Sequence, residues 1–163
     1  MLTRVNFNFM ELPKDSPAYL VRGADVKVYG SFGKLQYDLA TESAWQFPNN
    51  EKVYLSNLSW NVYNESMETL KYMLSSDDGW FDRGKKVGFL GESTLLVVND
   101  VESTQVIRIY GSEINVDVNT SLFTSKADAR AEQNKSVIYT HGFSYDQQHK
   151  FLTLNSKVRV IYE

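Results

Sequence analysis

The chain of 163 residues has no cysteine, three prolines, nine glycines and two histidines. Without cysteine there can be no disulfide framework, thiolate zinc site, iron–sulfur cluster or cysteine nucleophile. The compartment stays open, because a well-packed domain of this length needs no covalent staple. A net charge of -3 gives no excess of basic residues, which argues against nucleic acid as a partner. No uninterrupted apolar run approaches the ~18–20 residues of a membrane span, and the N-terminus lacks a signal-peptide apolar core. As written, the chain reads as a soluble domain. Alanine, the best helix former, occurs only seven times, whereas valine, isoleucine, threonine and the aromatics total 52. That balance predicts a single all-β domain.

What is present is alternation. Residues 1–23, with Pro13 and Pro17, show no steady period and are expected to be a loosely ordered lead-in to a domain over 24–163. Val26 and Val28 run into the turn GSFG. Leu35, Tyr37, Leu39, Thr41, Ser43, Trp45 and Phe47 then occupy one face of a long strand, which Pro48-Asn49-Asn50 ends. Leu58, Trp60 and Val62 share a face in a strand closing near Asn64. Leu70, Tyr72 and Leu74 form another, expected to stop at SSDDG. Lys85 to Val98 reads as one strand, with Gly91 marking a bulge or bend. The apolar phase changes between Ile107/Ile109 and Ile114/Val116/Val118, which places an extra residue near Gly111. KADARAEQNK (126–135) is the one short helix candidate, with a polar loop the alternative, and HGFSYDQQ is read as a turn. In the last strand Leu152, Leu154, Val158, Val160 and Tyr162 face one way. Eight to ten antiparallel strands result, compatible with a sandwich, a jelly roll or an open barrel.

Little of this carries chemistry. His141 and His149 lack a third ligand and read as polar turn residues. No nucleophile elbow, phosphate loop or zinc-protease motif is present. Asp77-Asp78 precede Gly79 as an ordinary turn would, and no carboxylate pair can be assigned across a cleft. The reading is therefore of a non-enzyme with no catalytic residue, metal or cofactor. Rows of large apolar side chains fill a closed core by default; if two sheets splay, the same rows line a groove suited to acyl chains.

Several segments, in order, resemble the LptC family of lipopolysaccharide-export proteins. They are Asp25 with GKLQYDLA (33–40), FLGES (89–93, lacking the usual valine), the block from IRIYGSEINVDV onward, and HGFSYDQQHKFLTLNSKVRVIYE (141–163). The resemblance covers Asp25 to Glu163, and the terminal VRVIYE sets it apart from the related LptA bridge proteins. It implies an open, twisted antiparallel β-jelly roll, boat-like, with two splayed sheets around an apolar groove. It implies no catalysis. It implies a protein that takes lipopolysaccharide from the inner-membrane LptB/LptF/LptG transporter and passes it to LptA. On this basis the expected lipid-facing residues are Leu35, Tyr37, Leu39, Leu58, Trp60, Tyr72, Leu74, Phe89, Ile114, Val116, Leu152, Leu154, Val158 and Tyr162. LptA is expected to add to the last strand at Leu154, Lys157, Val158, Arg159, Val160 and Tyr162. The family's membrane helix is missing, so residues 1–23 resemble the segment that follows it, and the periplasmic domain would be tethered in a longer protein. A homodimer stays open. Alternative readings are a closed β-sandwich scaffolding or adhesion module and a soluble LptA-like bridge component.

Overall fold

The computed structural model describes residues 2–10, 19–30, 33–63, 70–99 and 106–162. They form β1 (Leu2–Met10), β2 (Tyr19–Tyr29), β3 (Leu35–Gln46), β4 (Lys52–Tyr63), β5 (Leu70–Asp82), β6 (Val87–Leu90), β7 (Thr94–Asn99), β8 (Val106–Gly111), β9 (Ile114–Asp117), β10 (Leu122–Gln133), β11 (Ser136–Asp146) and β12 (Phe151–Tyr162). Every pairing is antiparallel. β6 and β7 both lie along β5, at Gly79–Asp82 and Tyr72–Ser75, and are one run interrupted at 91–93. β8 and β9 likewise share β10. The twelve strands thus make ten runs in chain order, an open meander with β1 and β12 at its edges.

Each long run breaks near its middle, and the breaks line up. Positive φ occurs at Gly23 in β2, Asn57 in β4, Ser93 between β6 and β7, Glu113 between β8 and β9, Gly142 in β11 and Lys157 in β12. Across the break, shielded positions step by three residues instead of two: Val21 to half-buried Ala24, Thr41 to Ala44, Leu55 to Leu58 and Ser76 to Gly79. Strand side chains alternate faces, so a three-residue step means that the chain has bent at that point. A crease therefore crosses the sheet from β2 to β5 and continues through the interruptions at 91–93 and 112–113, dividing these runs between two layers, as in packings where strands change sheet through bends.

Buried hydroxyls satisfy the backbone along this crease. Thr41 Oγ1 donates to Ser43 O (2.9 Å) or Ser56 O (2.6 Å). Ser76 Oγ lies 2.9 Å from Asp78 O and 3.0 Å from Glu92 O. Thr140 Oγ1 lies 3.0 Å from Gly142 O and 3.3 Å from Ser156 O. Ser125 Oγ donates to Ser112 O at 2.8 Å. All four residues are buried. Bending takes carbonyls out of the regular ladder, and a short hydroxyl side chain supplies a donor there.

Folding at the crease brings distant runs together. The rings of Tyr72 on β5 and Phe123 on β10 meet edge-to-face with centroids 5.5 Å apart, although other runs separate them along the sheet. At this end the layers close on Phe123, Phe143, Ile109, Ile114 and Tyr145, all fully buried.

Four expectations change. The lead-in contains β1, paired with β2 from Asn6↔Asp25 to Leu2↔Tyr29 and beyond, and β2 itself begins at Tyr19; Pro13 and Pro17 lie outside the described residues, as do Ser31, Phe32 and Asn64. SSDDG does not stop β5, which continues to Asp82. Gly79 is buried there because a Cβ would sit 2.6 Å from the Phe89 carbonyl oxygen, so it serves close strand approach rather than a turn. Residues 126–133 belong to β10, whose inward positions are the small Ala129 and Ala131, an apolar face concealed by alanine's helix preference. β11 extends through HGFSYD, placing His141 mid-strand beside Asp128 (2.7 Å) and leaving only His149 in the turn.

Candidate functional site

Beside the closed core, and sharing Leu55, Leu58, Leu74, Leu90 and Val116 with it, the layers part. An apolar cavity of ≈ 300 Å³ lies between them. One wall comes from Val26, Tyr37, Leu39, Leu58, Trp60 and Leu74 on β2–β5 of one layer. The other comes from Val53, Leu55, Phe81, Gly88, Leu90 and Val116 on β4, β5, β6 and β9 of the second, with Val118 just beyond β9. Cross-strand pairing builds the second wall: Leu55, Gly79, Leu90 and Ile114 lie opposite one another in sequence, as do Val53, Phe81, Gly88 and Val116. Glycine at 88 leaves a gap in the second row, and the cavity reaches it.

An aromatic chain forms the floor. Tyr37 meets Trp60 edge-to-face at 6.1 Å, Trp60 meets Tyr72 at 6.3 Å, and Tyr72 meets Phe123 in the closed core. Such pairs hold ring orientation as well as burying area. Burial pushes the Tyr72 hydroxyl up to about 12, with a bond to Ser121 pulling the other way, and burial also raises Tyr37. Both phenols therefore stay neutral at physiological pH and add no charge to the interior. Among the described residues Arg83 is the one charged side chain in the cavity lining; its Nη2 donates to Gln46 Oε1 at 3.3 Å.

Seven of the residues expected to face lipid line this cavity: Tyr37, Leu39, Leu58, Trp60, Leu74, Phe89 and Val116. Phe89 does so at its border, since it alternates with inward Leu90 and its ring stacks on Trp80 at 6.1 Å. Tyr72 and Ile114 belong to the neighbouring core, and Leu152 packs against it. Leu35 and Leu154 are half-buried and outside the cavity lining. Val158 and Tyr162 are exposed on β12, at the edge of the sheet. Periodicity missed Val26, Val53, Leu55, Phe81 and Leu90. The signal available for Leu55 was its three-residue step from Leu58, which marks the crease.

Among the described residues β12 has no partner on its outer side. Val158, Val160, Ile161 and Tyr162 are exposed there, Tyr162 by 83%. Arg159 caps the ring of Tyr139 at 4.6 Å and braces the strand against β11. Among the described residues, no group of three or more potential metal ligands occurs, and no helix is long and apolar enough to cross a membrane.

A family model described as "Lipopolysaccharide-assembly, LptC-related" matches residues 8–163. The chain belongs to the LptC family. The match begins within β1. Membership makes the protein a non-catalytic component of periplasmic lipopolysaccharide transport that works with other parts of that system, and the open two-layer meander is the family's jelly-roll type of fold. Among solved structures, the crystal structure of LptH, the LptA-homologous periplasmic component of the lipopolysaccharide transport device of Pseudomonas aeruginosa, aligns over 99% of this chain and 95% of its own, at 13% identity and a TM-score of 0.42. No curated protein matches.

Proposed function

We propose that this LptC-family domain carries lipopolysaccharide by its acyl chains in the cavity between the layers and hands it to an LptA-type partner that adds to β12. The observation carrying this reading is an almost wholly apolar cavity, with Arg83 at its rim, held open between two layers of one sheet whose last strand has an open outer edge among the described residues. Each acyl methylene removed from water gains ~0.8 kcal/mol, so a few chains supply affinity without polar contacts. An unpaired edge offers backbone donors and acceptors to an incoming strand, and the exposed apolar residues of β12 offer it side-chain contacts. In this reading the LptB/LptF/LptG transporter loads the cavity and supplies the energy, and a membrane helix tethers the domain in a longer protein. Two copies could also pair through their edge strands, so a homodimer is a competing use of the same surface.

Photo-crosslinking residues test both halves. Placed at Leu58 or Trp60, they should trap lipopolysaccharide; placed at Leu154 or Tyr162, they should trap LptA. Failure of several cavity positions to capture lipid, with the protein folded, would contradict the carrier role.

A further inference from the structure

The cavity has a chemically distinct rim. The turn joining β5 to β6, Arg83-Gly84-Lys85-Lys86, puts three cations into four residues of a chain whose net charge is -3. All three are exposed, and Arg83 lines the cavity itself. Lys52, paired across strands with Asp82 at the foot of the turn, lies 4.1 Å above the ring of Trp80, another residue bordering the cavity. None of the four makes an ion pair among the described residues.

The turn is rigid and its acids are engaged. Buried Asp82 accepts from the Gly84 and Lys85 amides through Oδ1, both at 3.0 Å, and its carbonyl accepts from Lys86 N at 2.8 Å. Lys86 takes a left-handed φ of 55°, and its carbonyl accepts from Val118 N, tying the turn to the end of β9 on the same wall of the cavity. Asp117 accepts from the Asn119 and Thr120 amides of the adjoining turn. Glu51, packed over Gly84, is the remaining acid nearby.

We propose that the Arg83–Lys86 turn and Lys52 form an anion-binding rim that holds the phosphorylated head of an amphiphile whose acyl chains occupy the cavity. The assignment rests on the carrier reading above and adds an orientation: head at the β5–β6 turn, chains pointing toward the Tyr72–Phe123 core. Partly exposed charge pairs are individually weak, but several acting together give about a tenfold preference for an anionic head at low salt.

Dodecyl phosphate, dodecyl maltoside and inorganic phosphate, each below micellar concentration, separate the terms by calorimetric titration of the full chain. The expected result is binding of both amphiphiles, tighter for dodecyl phosphate, with the preference shrinking in high salt. It should fall severalfold in the double variant K85Q/K86Q, whose lysines lie outside the cavity lining and which should keep its dodecyl maltoside affinity. The charge-matched control K126Q/K135Q should behave as wild type. If both amphiphiles bind equally, the rim is wrong while the carrier reading stands; if neither binds, both fall. Loss of preference in the control would reduce the effect to net charge, and inorganic phosphate binding as tightly as dodecyl phosphate would detach the rim from the cavity. Either result overturns the proposal.

Discussion

Ser76→Ala isolates the crease that opens the two layers. Ser76 is 5% exposed and sits where β5 passes from pairing β7 to pairing β6, its hydroxyl within 2.9–3.0 Å of Asp78 O, Glu92 O and Thr94 Oγ1. Both carbonyls keep a second donor, Gly91 N for Asp78 (2.9 Å) and Asp77 N for Glu92 (3.0 Å). Thr94 Oγ1 keeps Gly91 O as an acceptor at 3.2 Å. The substitution therefore removes one net hydrogen bond and leaves no group wholly orphaned. The cost should be about 1–2 kcal/mol, below the upper range for stranding a buried polar atom. Urea unfolding followed by tryptophan fluorescence measures it, with Ser59→Ala on the exposed side of β4 as the control, expected within about 0.5 kcal/mol of wild type. Equal costs for the two variants would refute the idea that buried hydroxyls secure the crease.

Two further outcomes follow from local geometry. Gly79→Ala should destabilise by about 2–4 kcal/mol in the same unfolding assay, because its Cβ would meet the Phe89 carbonyl oxygen, a backbone atom that cannot swing away. A loss below about 1 kcal/mol would contradict that close approach. The Tyr72 phenol, held near 12 when folded against 10 when unfolded, binds its proton longer in the folded state. Its contribution to stability is complete below pH 10 and lost between pH 10 and 12, by at most roughly 2–3 kcal/mol. Comparing alkaline unfolding of wild type and Tyr72→Phe should show the variant less sensitive across that interval; identical curves would remove the effect.

Within each half-run, alternation was legible from the residues themselves. Leu35 to Thr41 and Leu58 to Val62 keep their faces, and the phase change at Gly111 marks a real interruption between β8 and β9. What periodicity could not carry was the crease in the uninterrupted strands. Beyond Thr41 the expected face of β3 reverses: Ala44 and Gln46 are buried, while Phe47 is exposed. No glycine or proline in TESAW signals a bend; the bend here coincides with the positive φ of Asn57 on the neighbouring strand and with hydroxyl bonds from Thr41 and Ser43 to Ser56. The same limit concealed half of the cavity. Tyr37, Leu39, Leu58 and Trp60 sit in clean alternation, whereas Val53 and Leu55 lie across the crease in the opposite phase. Gly88 contributes by having no side chain, which an apolar pattern cannot register. β12 was readable as an edge because it is the last strand of a meander, and the structure leaves its outer side unpaired.

The central claim is that lipid occupies the space between the layers. Val118→Phe puts a larger apolar side chain into that space from a residue half-buried at its wall, leaving β12 and the basic turn unaltered. The decisive measurement is the equilibrium affinity of this variant for lipopolysaccharide beside that of wild type, with unfolding curves confirming that both are folded. Loss of a few acyl methylenes from the cavity, at ~0.8 kcal/mol each, predicts an affinity at least about tenfold weaker at undiminished stability. An unchanged affinity would place the lipid elsewhere and contradict the account.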